Sequence, residues 1–259
     1  MNSLLFFLSV SLTLVSLIGY VMHMPLSVCF VFNVISLHLA GSLIHDASHK
    51  SAHSNEYING IIGHVCGFLL GFSFVVFKKV HMQHHAHVNQ AKYDPDHYVS
   101  TGGPIWLIAP RFFYHEIYFF QRRLYRNHEL LEWMMARGLF FLVLMAAWKF
   151  GALTYVLRCW FCAALLVGTF LGLCFDYLPH YPFVQTHRWH NACIQENDML
   201  NWLILGQNYH LVHHLWPSEP WYKYQQKYQA HQQLFTPQTC VLGWPTQIGY
   251  DLCFGLRIG

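Results

Sequence analysis

Long apolar stretches separate the polar parts of this chain. The first two stretches, residues 4–22 and 26–44, are divided only by His23, Met24 and Pro25. A helix of about 19 residues spans about 28 Å, which matches the hydrocarbon core of a bilayer. We therefore predict two membrane helices that are joined as a tight hairpin.

A second pair of apolar stretches, residues 133–150 and 155–175, is also long enough to span a bilayer. Arg137, Lys149 and Arg158 lie in or near these stretches. We expect them at helix ends, where long cationic side chains reach the lipid headgroups. The pattern predicts an all-α integral membrane protein with four transmembrane helices in two hairpins.

Lysines and arginines set the expected orientation in the membrane. They concentrate between the two pairs and after the second pair, whereas the hairpin turns hold almost none. The positive-inside rule then puts residues 45–132 and 176–259 on the cytoplasmic side. We interpret residues 1–259 as a single membrane domain with a cytoplasmic, histidine-rich helical cap.

Two further apolar segments are not predicted to span the bilayer. Residues 61–77 are interrupted by His64 and contain three glycines, which weaken a helix. Residues 104–120 are aromatic and carry Arg111 and Glu116. We expect both segments to lie in, or dip into, the cytoplasmic membrane interface.

Composition narrows the function classes. Apolar residues make up 54% of the chain and charged residues 10%, and the net charge of +3 is too small to indicate a nucleic-acid partner.

The cysteines are scattered through apolar runs, so we predict buried thiols and no secreted disulfide framework. We interpret the pair Cys159 and Cys162 as packing residues.

Histidines form three clusters around the predicted membrane helices. They are "HDASH" with His45 and His49, followed by His53; "HMQHH" with His81, His84 and His85; and "HLVHH" with His210, His213 and His214. Spacings of three and four place side chains on one face of a helix. Imidazole is the commonest protein ligand for iron, zinc, copper and nickel, so the clusters predict a metal site.

The three boxes hold eight imidazoles, and even an octahedral ion takes only six ligands. The sequence therefore predicts two metal ions. "DYLPH" adds a ninth candidate, His180, and Asp176 lies four residues before it. Asp176 is expected to reach the site directly, through water, or by orienting a ligand. The competing interpretation of all these histidines is that they are solvated or packed in a core.

The motifs "HDASHKSAH", "HMQHHAHVN", "DPDHYVSTGGP", "DYLPH" and "NWLILGQNYHLVHHLWPSEPWYKY" resemble the integral-membrane fatty acid desaturase and hydroxylase superfamily. Within it, they look most like the cyanobacterial-type β-carotene hydroxylases. The histidine boxes alone identify the superfamily, and the residues around them support the narrower resemblance. This resemblance runs from residue 45 to near the end of the chain.

The resemblance implies two non-haem iron ions that activate O₂ and hydroxylate carbon 3 of a β-ionone ring, giving cryptoxanthin and then zeaxanthin. By position it carries the iron ligands over to His45, His49, His81, His84, His85, His180, His210, His213 and His214. Candidates for orienting these ligands are His53, His87, Asp46, Asp94, Asp176 and Asp198, since metal-bound imidazoles need acceptors for their second nitrogen.

The resemblance also implies a lipid-dissolved carotenoid substrate, a multi-pass location in a thylakoid or plasma membrane, and ferredoxin as the external electron donor. Arg122, Arg123 and Arg126, with Lys78 and Lys79, would form the donor's docking face, or would simply follow the positive-inside rule. The aromatic residues 110–125 would line a polyene tunnel or form an interfacial belt.

Other functions remain open at this level. A carotenoid ketolase or an acyl-lipid desaturase would use the same histidine boxes, because these reactions differ in the position of the substrate. A membrane metal transporter is the non-enzyme alternative. Transporters place their ligands near the bilayer midplane, whereas these clusters lie outside the predicted spans.

Overall fold

The computed structural model describes residues 1–235 and 240–241. In this part of the chain, helices form almost all of the regular structure. The helices before the second predicted hairpin are α1 (Asn2–Val21), α2 (Leu26–Ser48), α3 (Glu56–Leu70), α4 (Phe74–His87), α5 (Pro95–Thr101), α6 (Ile108–Arg111) and α7 (Tyr114–Gln121).

A long helix, α8 (Asn127–Lys149), comes next. A second long helical stretch, Leu153–His180, contains α9 (Leu153–Tyr155), α10 (Cys162–Leu171) and α11 (Leu178–His180), with π-helical turns at Val156–Phe161 and Gly172–Tyr177. The remaining elements are α12 (Asp198–Leu203), α13 (His210–Leu215), α14 (Tyr224–Ala230), the strands β1 (Cys193–Ile194) and β2 (Cys240–Val241), and 3₁₀ turns at Ile105–Leu107, Gln207–Tyr209, Trp221–Lys223 and Gln232–Leu234.

Among the described residues, four helical stretches are long and apolar enough to cross a membrane, or five if the bent pair Glu56–Leu70 and Phe74–His87 counts as one span. They are Asn2–Val21, Leu26–Ser48, Asn127–Lys149 and Leu153–His180. Their ends differ from the sequence prediction, which stopped at the first polar residues. The second helix continues to Ser48 because its last turn, including His45 and Asp46, is buried inside the protein.

The chain divides into two compact units. The first unit contains residues 1–79 and 119–168, and the second contains residues 80–118 and the described residues from 169 onward.

Within the first unit, a seam of polar side chains joins apolar helices. Asn33 of α2 donates hydrogen bonds from Nδ2 to Ser16 Oγ on α1 at 2.9 Å and to the Cys159 carbonyl at 3.1 Å. Ser16 in turn donates to the Cys29 carbonyl at 2.8 Å. The outer faces of these helices are apolar and exposed, as at Phe7, which is 67% exposed. This arrangement suits helices surrounded by lipid, where polar groups must be satisfied internally.

Residues 61–77 do not form one continuous helix. The helix α3 ends at Leu70, Gly71 follows with a φ of +80°, and the bend between α3 and α4 is 98°. Arg137 Nη1 donates to the Gly71 carbonyl at 2.8 Å and Trp160 Nε1 donates to the Leu69 carbonyl at 2.7 Å. These two side chains satisfy carbonyls that the end of α3 leaves without helical partners.

Within the second unit, short helices pack around a small apolar core. Val99, Ile105, Ile108, Tyr177 and Phe183 form this core. The strands β1 and β2 add a two-residue parallel pair.

The cysteines follow the prediction only in part. Cys29, Cys66, Cys159 and Cys174 are buried free thiols, as expected from their apolar surroundings. Cys162, however, is an exposed free thiol, because its position on α10 faces outward. Cys193 of β1 also differs from the predicted free thiols, since it forms a disulfide bond.

Candidate metal centre

Three elements of the second unit bring histidines together. The last two turns of α4 carry His81, His84 and His85, and His180 ends α11. The helix α13 carries the third box, with His210, His213 and His214. The helices α4 and α13 thus carry three clustered imidazoles each at spacings of three and four, and α11 contributes one.

Four buried imidazoles converge on one point. Each of the four offers one ring nitrogen, and these nitrogens all lie within 4.8 Å of one another. The four residues are His84, His180, His210 and His214. A metal–nitrogen bond is about 2.1 Å long for zinc-like ions. Nitrogens that bind one ion therefore lie close to one another, as these four do.

A second group of imidazoles adjoins the first. His85, His213 and His214 also offer nitrogens within 4.8 Å of one another. The Nε2 atoms of His85 and His213 are 2.9 Å apart, and those of His85 and His81 are 3.2 Å apart. Within the second unit, all seven predicted ligands from the later boxes and "DYLPH" are therefore contiguous, and His214 belongs to both groups.

Carboxylate Asp94 orients His84. Its Oδ1 accepts a hydrogen bond from His84 Nδ1 at 2.9 Å, so the Nε2 of His84 faces the other imidazoles. Asp94 also accepts from the backbone N–H of Asn89 at 2.8 Å and caps α5 by accepting from Asp96 N at 2.9 Å. Asp94 was predicted as a candidate for orienting a ligand, and that role stays a prediction.

Three other candidate ligands have a partner on Nδ1. His180 Nδ1 donates to the Asn191 carbonyl at 2.9 Å, and the Nδ1 atoms of His210 and His213 lie 2.8 Å from Gln207 Oε1 and 2.9 Å from Tyr224 Oη. A carbonyl can only accept, so His180 must carry its proton on Nδ1. Its Nε2 lone pair is then available to a metal.

A second carboxylate, Asp96, lies behind His84. Its Oδ2 is 3.5 Å from His84 Nδ1, and its Oδ1 accepts from His115 Nε2 at 2.7 Å. Burial by itself would raise the pKa of Asp96, but the adjacent imidazoles of His84 and His115 outweigh it and lower that pKa. Asp96 is therefore a buried carboxylate held ionised by two histidines.

The remaining candidates of the second unit lie in different surroundings. Asp176, in the π-helical turn before His180, interacts electrostatically with His84, Asp94 and Asp96. Asp198, at the start of α12, is exposed and accepts a hydrogen bond from Gln225. The ring of His87 packs on Tyr93, with 5.4 Å between the ring centroids. Their predicted roles in orienting ligands stay predictions.

In the first unit, His45 is buried in the last turn of α2, and its ring centroid is 5.3 Å from that of His49. Asp46 is also buried and accepts from Asn2 Nδ2 at 2.8 Å. His53 lies in the following turn, where its Nδ1 accepts from the backbone N–H of Asn55 at 2.9 Å. The first box therefore forms a pair of adjacent imidazoles within its own unit.

Sequence reasoning missed several residues that position the ligands. They are His115, Asn191, Gln207 and Tyr224. Asn89 was missed as well, although it ends the second box and donates from Nδ2 to the Gln185 and Asn191 carbonyls at 2.6 and 3.0 Å. Gln207 could have been found, because it lies three residues before His210 on the same helical turn.

The donor set fits a transition metal. Among the described residues, His180 Nε2 is buried without a hydrogen-bond partner, which is costly unless a ligand satisfies it. Burial and the neighbouring imidazoles hold the pKa of His214 well below its usual range, so its ring stays neutral. Neutral, preoriented imidazoles are the form that binds iron or a similar ion.

These observations define a protein with long apolar helices and converging histidines that are compatible with a transition-metal site. The model of the fatty acid desaturase family matches residues 21–245, and the chain therefore belongs to this family. No curated protein matches the chain. With its long apolar helices, the protein is an integral membrane protein and an oxidoreductase by family, and its histidine clusters are compatible with the family's di-iron site.

Proposed function

We propose that this protein is an O₂-dependent di-iron monooxygenase that hydroxylates carbon 3 of the β-ionone rings of β-carotene, giving cryptoxanthin and zeaxanthin. One observation carries the metal part of the proposal: His84, His180, His210 and His214 are buried with ring nitrogens within 4.8 Å of one another. The choice of substrate is supported by the sequence around the histidine boxes, which resembles that of the cyanobacterial-type β-carotene hydroxylases.

The proposed ligands are the histidines of all three boxes and His180. For the later boxes the support is geometric, as described above. For His45 and His49 the support is their place in the first box of a chain that belongs to the desaturase family.

The irons, when bound, would supply the activation of O₂ that side chains cannot provide. The residues of this chain hold the site. Asp94 and the Asn191 carbonyl keep the protons of His84 and His180 on Nδ1, which directs each Nε2 inward. Buried walls around His213 and Tyr224 keep bulk water from the ligands.

The proposed substrate fits a lipid-embedded enzyme. β-Carotene is apolar and dissolves in the bilayer, and the long helices of this protein expose apolar side chains such as Phe7, Leu142 and Leu166. We propose that the site lies on the cytoplasmic side of a thylakoid or plasma membrane, in accord with the distribution of lysine and arginine.

An acyl-lipid desaturase is the second candidate, and the match to the fatty acid desaturase family favours it. A carotenoid 4-ketolase would use the same boxes. These reactions require the same donor set and differ in how the substrate lies against it.

We further propose that an acidic electron donor such as ferredoxin docks on Arg122, Arg123 and Arg126, which are exposed. Lys79 is less suited to this role, because it pairs with Glu129. Activity that is unchanged at low salt after replacing the three arginines with glutamine would refute the docking site.

The test of the function is expression in a host that makes β-carotene, followed by analysis of carotenoids and of membrane fatty acids. Hydroxylated carotenoid is the expected result, and a variant with His84 and His214 replaced by alanine should make none. Keto-carotenoid or new double bonds in acyl chains would identify an alternative reaction. Purified protein without iron would refute the di-iron assignment.

A further inference from the structure

The last long helical stretch does not keep the α-helical period up to its end. Gly172–Tyr177 form a π-helical turn, and the α-helical turn Leu178–His180 follows it directly. A π-helical turn has hydrogen bonds between residues i and i+5, so it contains one residue more than an α-helical turn. Because an α-helix turns by about 100° per residue, the added residue rotates the rest of the helix by about 100°.

This rotation acts on His180, which lies three residues after the π-helical turn. The His180 side chain is buried, and its ring belongs to the group formed with His84, His210 and His214. A side chain rotated by about 100° about the helix axis would point away from that group. The position of the His180 imidazole therefore depends on the residue that the π-helical turn adds.

Packing inside the second unit holds the turn in place. The helices α5 and α6 pack against it, and Tyr177 lies in the apolar core with Val99 and Ile108. At the start of the turn, a Cβ on Gly172 would lie 2.9–3.0 Å from three side-chain atoms of Ile108. Ile108 is fully buried and β-branched, so it has little freedom to move aside. Only glycine therefore allows the turn to begin this close to α6.

Pro179 gives a local reason for the break in the α-helical period. Proline has no N–H, and in an α-helix its ring clashes with the carbonyl four residues earlier, which is that of Phe175. Phe175 lies in the π-helical turn, where a carbonyl bonds the N–H five residues later. The competing interpretation is that the turn only accommodates Pro179, and that His180 takes its position from the Asn191 carbonyl.

We propose that the π-helical turn positions His180 for metal binding, and that Gly172 is the positioning residue that holds the turn against α6. Gly172 acts through His180. The importance of this turn for oxygenation rests on the function proposed above. Its importance for metal binding holds for any reaction that the site performs.

The first test removes the added residue. Metal-free, full-length protein in lipid nanodiscs is titrated with Co²⁺, and the d–d absorption of bound Co²⁺ gives the number and affinity of the sites. Deletion of Leu173, which lies within the turn, should weaken binding at one site by about 10- to 100-fold. Leu173→Ala is the matched control, because it loses the same side chain but keeps the residue, and it should bind Co²⁺ like the wild type.

Equal Co²⁺ binding by these two variants would overturn the proposal, and so would a wild-type protein that binds no Co²⁺. Unchanged binding after the deletion would favour the competing interpretation, in which the Asn191 carbonyl alone places His180.

A double variant separates positioning from a general loss of stability. If the deletion of Leu173 acts through His180, combining it with His180→Gln should weaken Co²⁺ binding no further than His180→Gln does alone. Additive losses would show that the deletion damages the site by another route, and would count against the proposal.

Gly172→Ala decides the question if the deletion variant does not fold. It should weaken Co²⁺ binding about tenfold. Adding Ile108→Ala removes the three overlapping atoms and should restore most of the lost affinity. No loss in Gly172→Ala, or a loss that Ile108→Ala does not reverse, would overturn the role of Gly172. A wild-type protein that binds Co²⁺ but makes no hydroxylated carotenoid would refute the proposed function, while the titrations still decide this inference.

Discussion

His84 Nδ1 lies 2.9 Å from Asp94 Oδ1, and both side chains are 2% exposed. The pair links the second histidine box to the first turn of α5, because the same carboxylate caps that helix. A single buried carboxylate therefore fixes both the tautomer of a metal ligand and the start of a helix.

Asp94→Asn is expected to weaken iron binding by about 10- to 100-fold, the usual cost of losing an acceptor behind a metal-bound histidine. The measurement is iron retained per chain during titration with a chelator. Glu196→Gln is the control, since Glu196 is an exposed carboxylate in the same unit. Equal iron retention in both variants would remove Asp94 from the metal centre.

His180→Gln should lose one of the two iron equivalents, because the side chain's buried Nε2 faces the group formed with His84, His210 and His214. Elemental analysis of purified protein measures this. His187→Gln alters an exposed histidine in the following loop and should keep the full iron content. If His180→Gln also keeps it, His180 is a packing residue.

His115→Leu should lower the free energy of unfolding by about 3 kcal/mol, since it leaves the buried Asp96 carboxylate without its main partner. The double variant with Asp96→Asn should be less destabilised than the sum of the two single variants. Unfolding in mixed micelles measures both.

His128→Leu is the control for this pair. Its side chain is 71% exposed and lies 3.9 Å from Glu129, a surface pair that contributes at most about 1 kcal/mol. Additive effects of His115→Leu and Asp96→Asn would contradict the proposed buried pair.

Gly63→Ala should destabilise the first unit by about 1–3 kcal/mol, because a Cβ there overlaps the ring of Phe74, which is buried. Gly60→Ala, one turn earlier on α3, meets nothing within 4 Å and should stabilise the helix by up to about 1 kcal/mol. Thermal unfolding of the two variants should shift in opposite directions. A shift in the same direction would refute this packing.

The glycines of this segment show where the sequence was informative and where it was not. The low helix propensity of Gly63, Gly67 and Gly71 predicts a weak helix in residues 61–77, and that segment is indeed broken at Gly71. Propensity alone gives no reason why Gly63 is glycine, since the reason is a ring eleven residues later in the chain. The contact depends on a bend that follows from tertiary packing.

The sequence by itself determined the long apolar helices and the histidine clusters of the candidate metal centre, because hydrophobic length and a spacing of three or four are local properties. The tertiary structure decided which groups hold those histidines in place. Asn191, Tyr224 and His115 lie far along the chain from the imidazoles or carboxylates that they contact, or belong to loops with no periodic pattern. Hydrogen-bond partners across such separations are set by how elements pack, which no local pattern encodes.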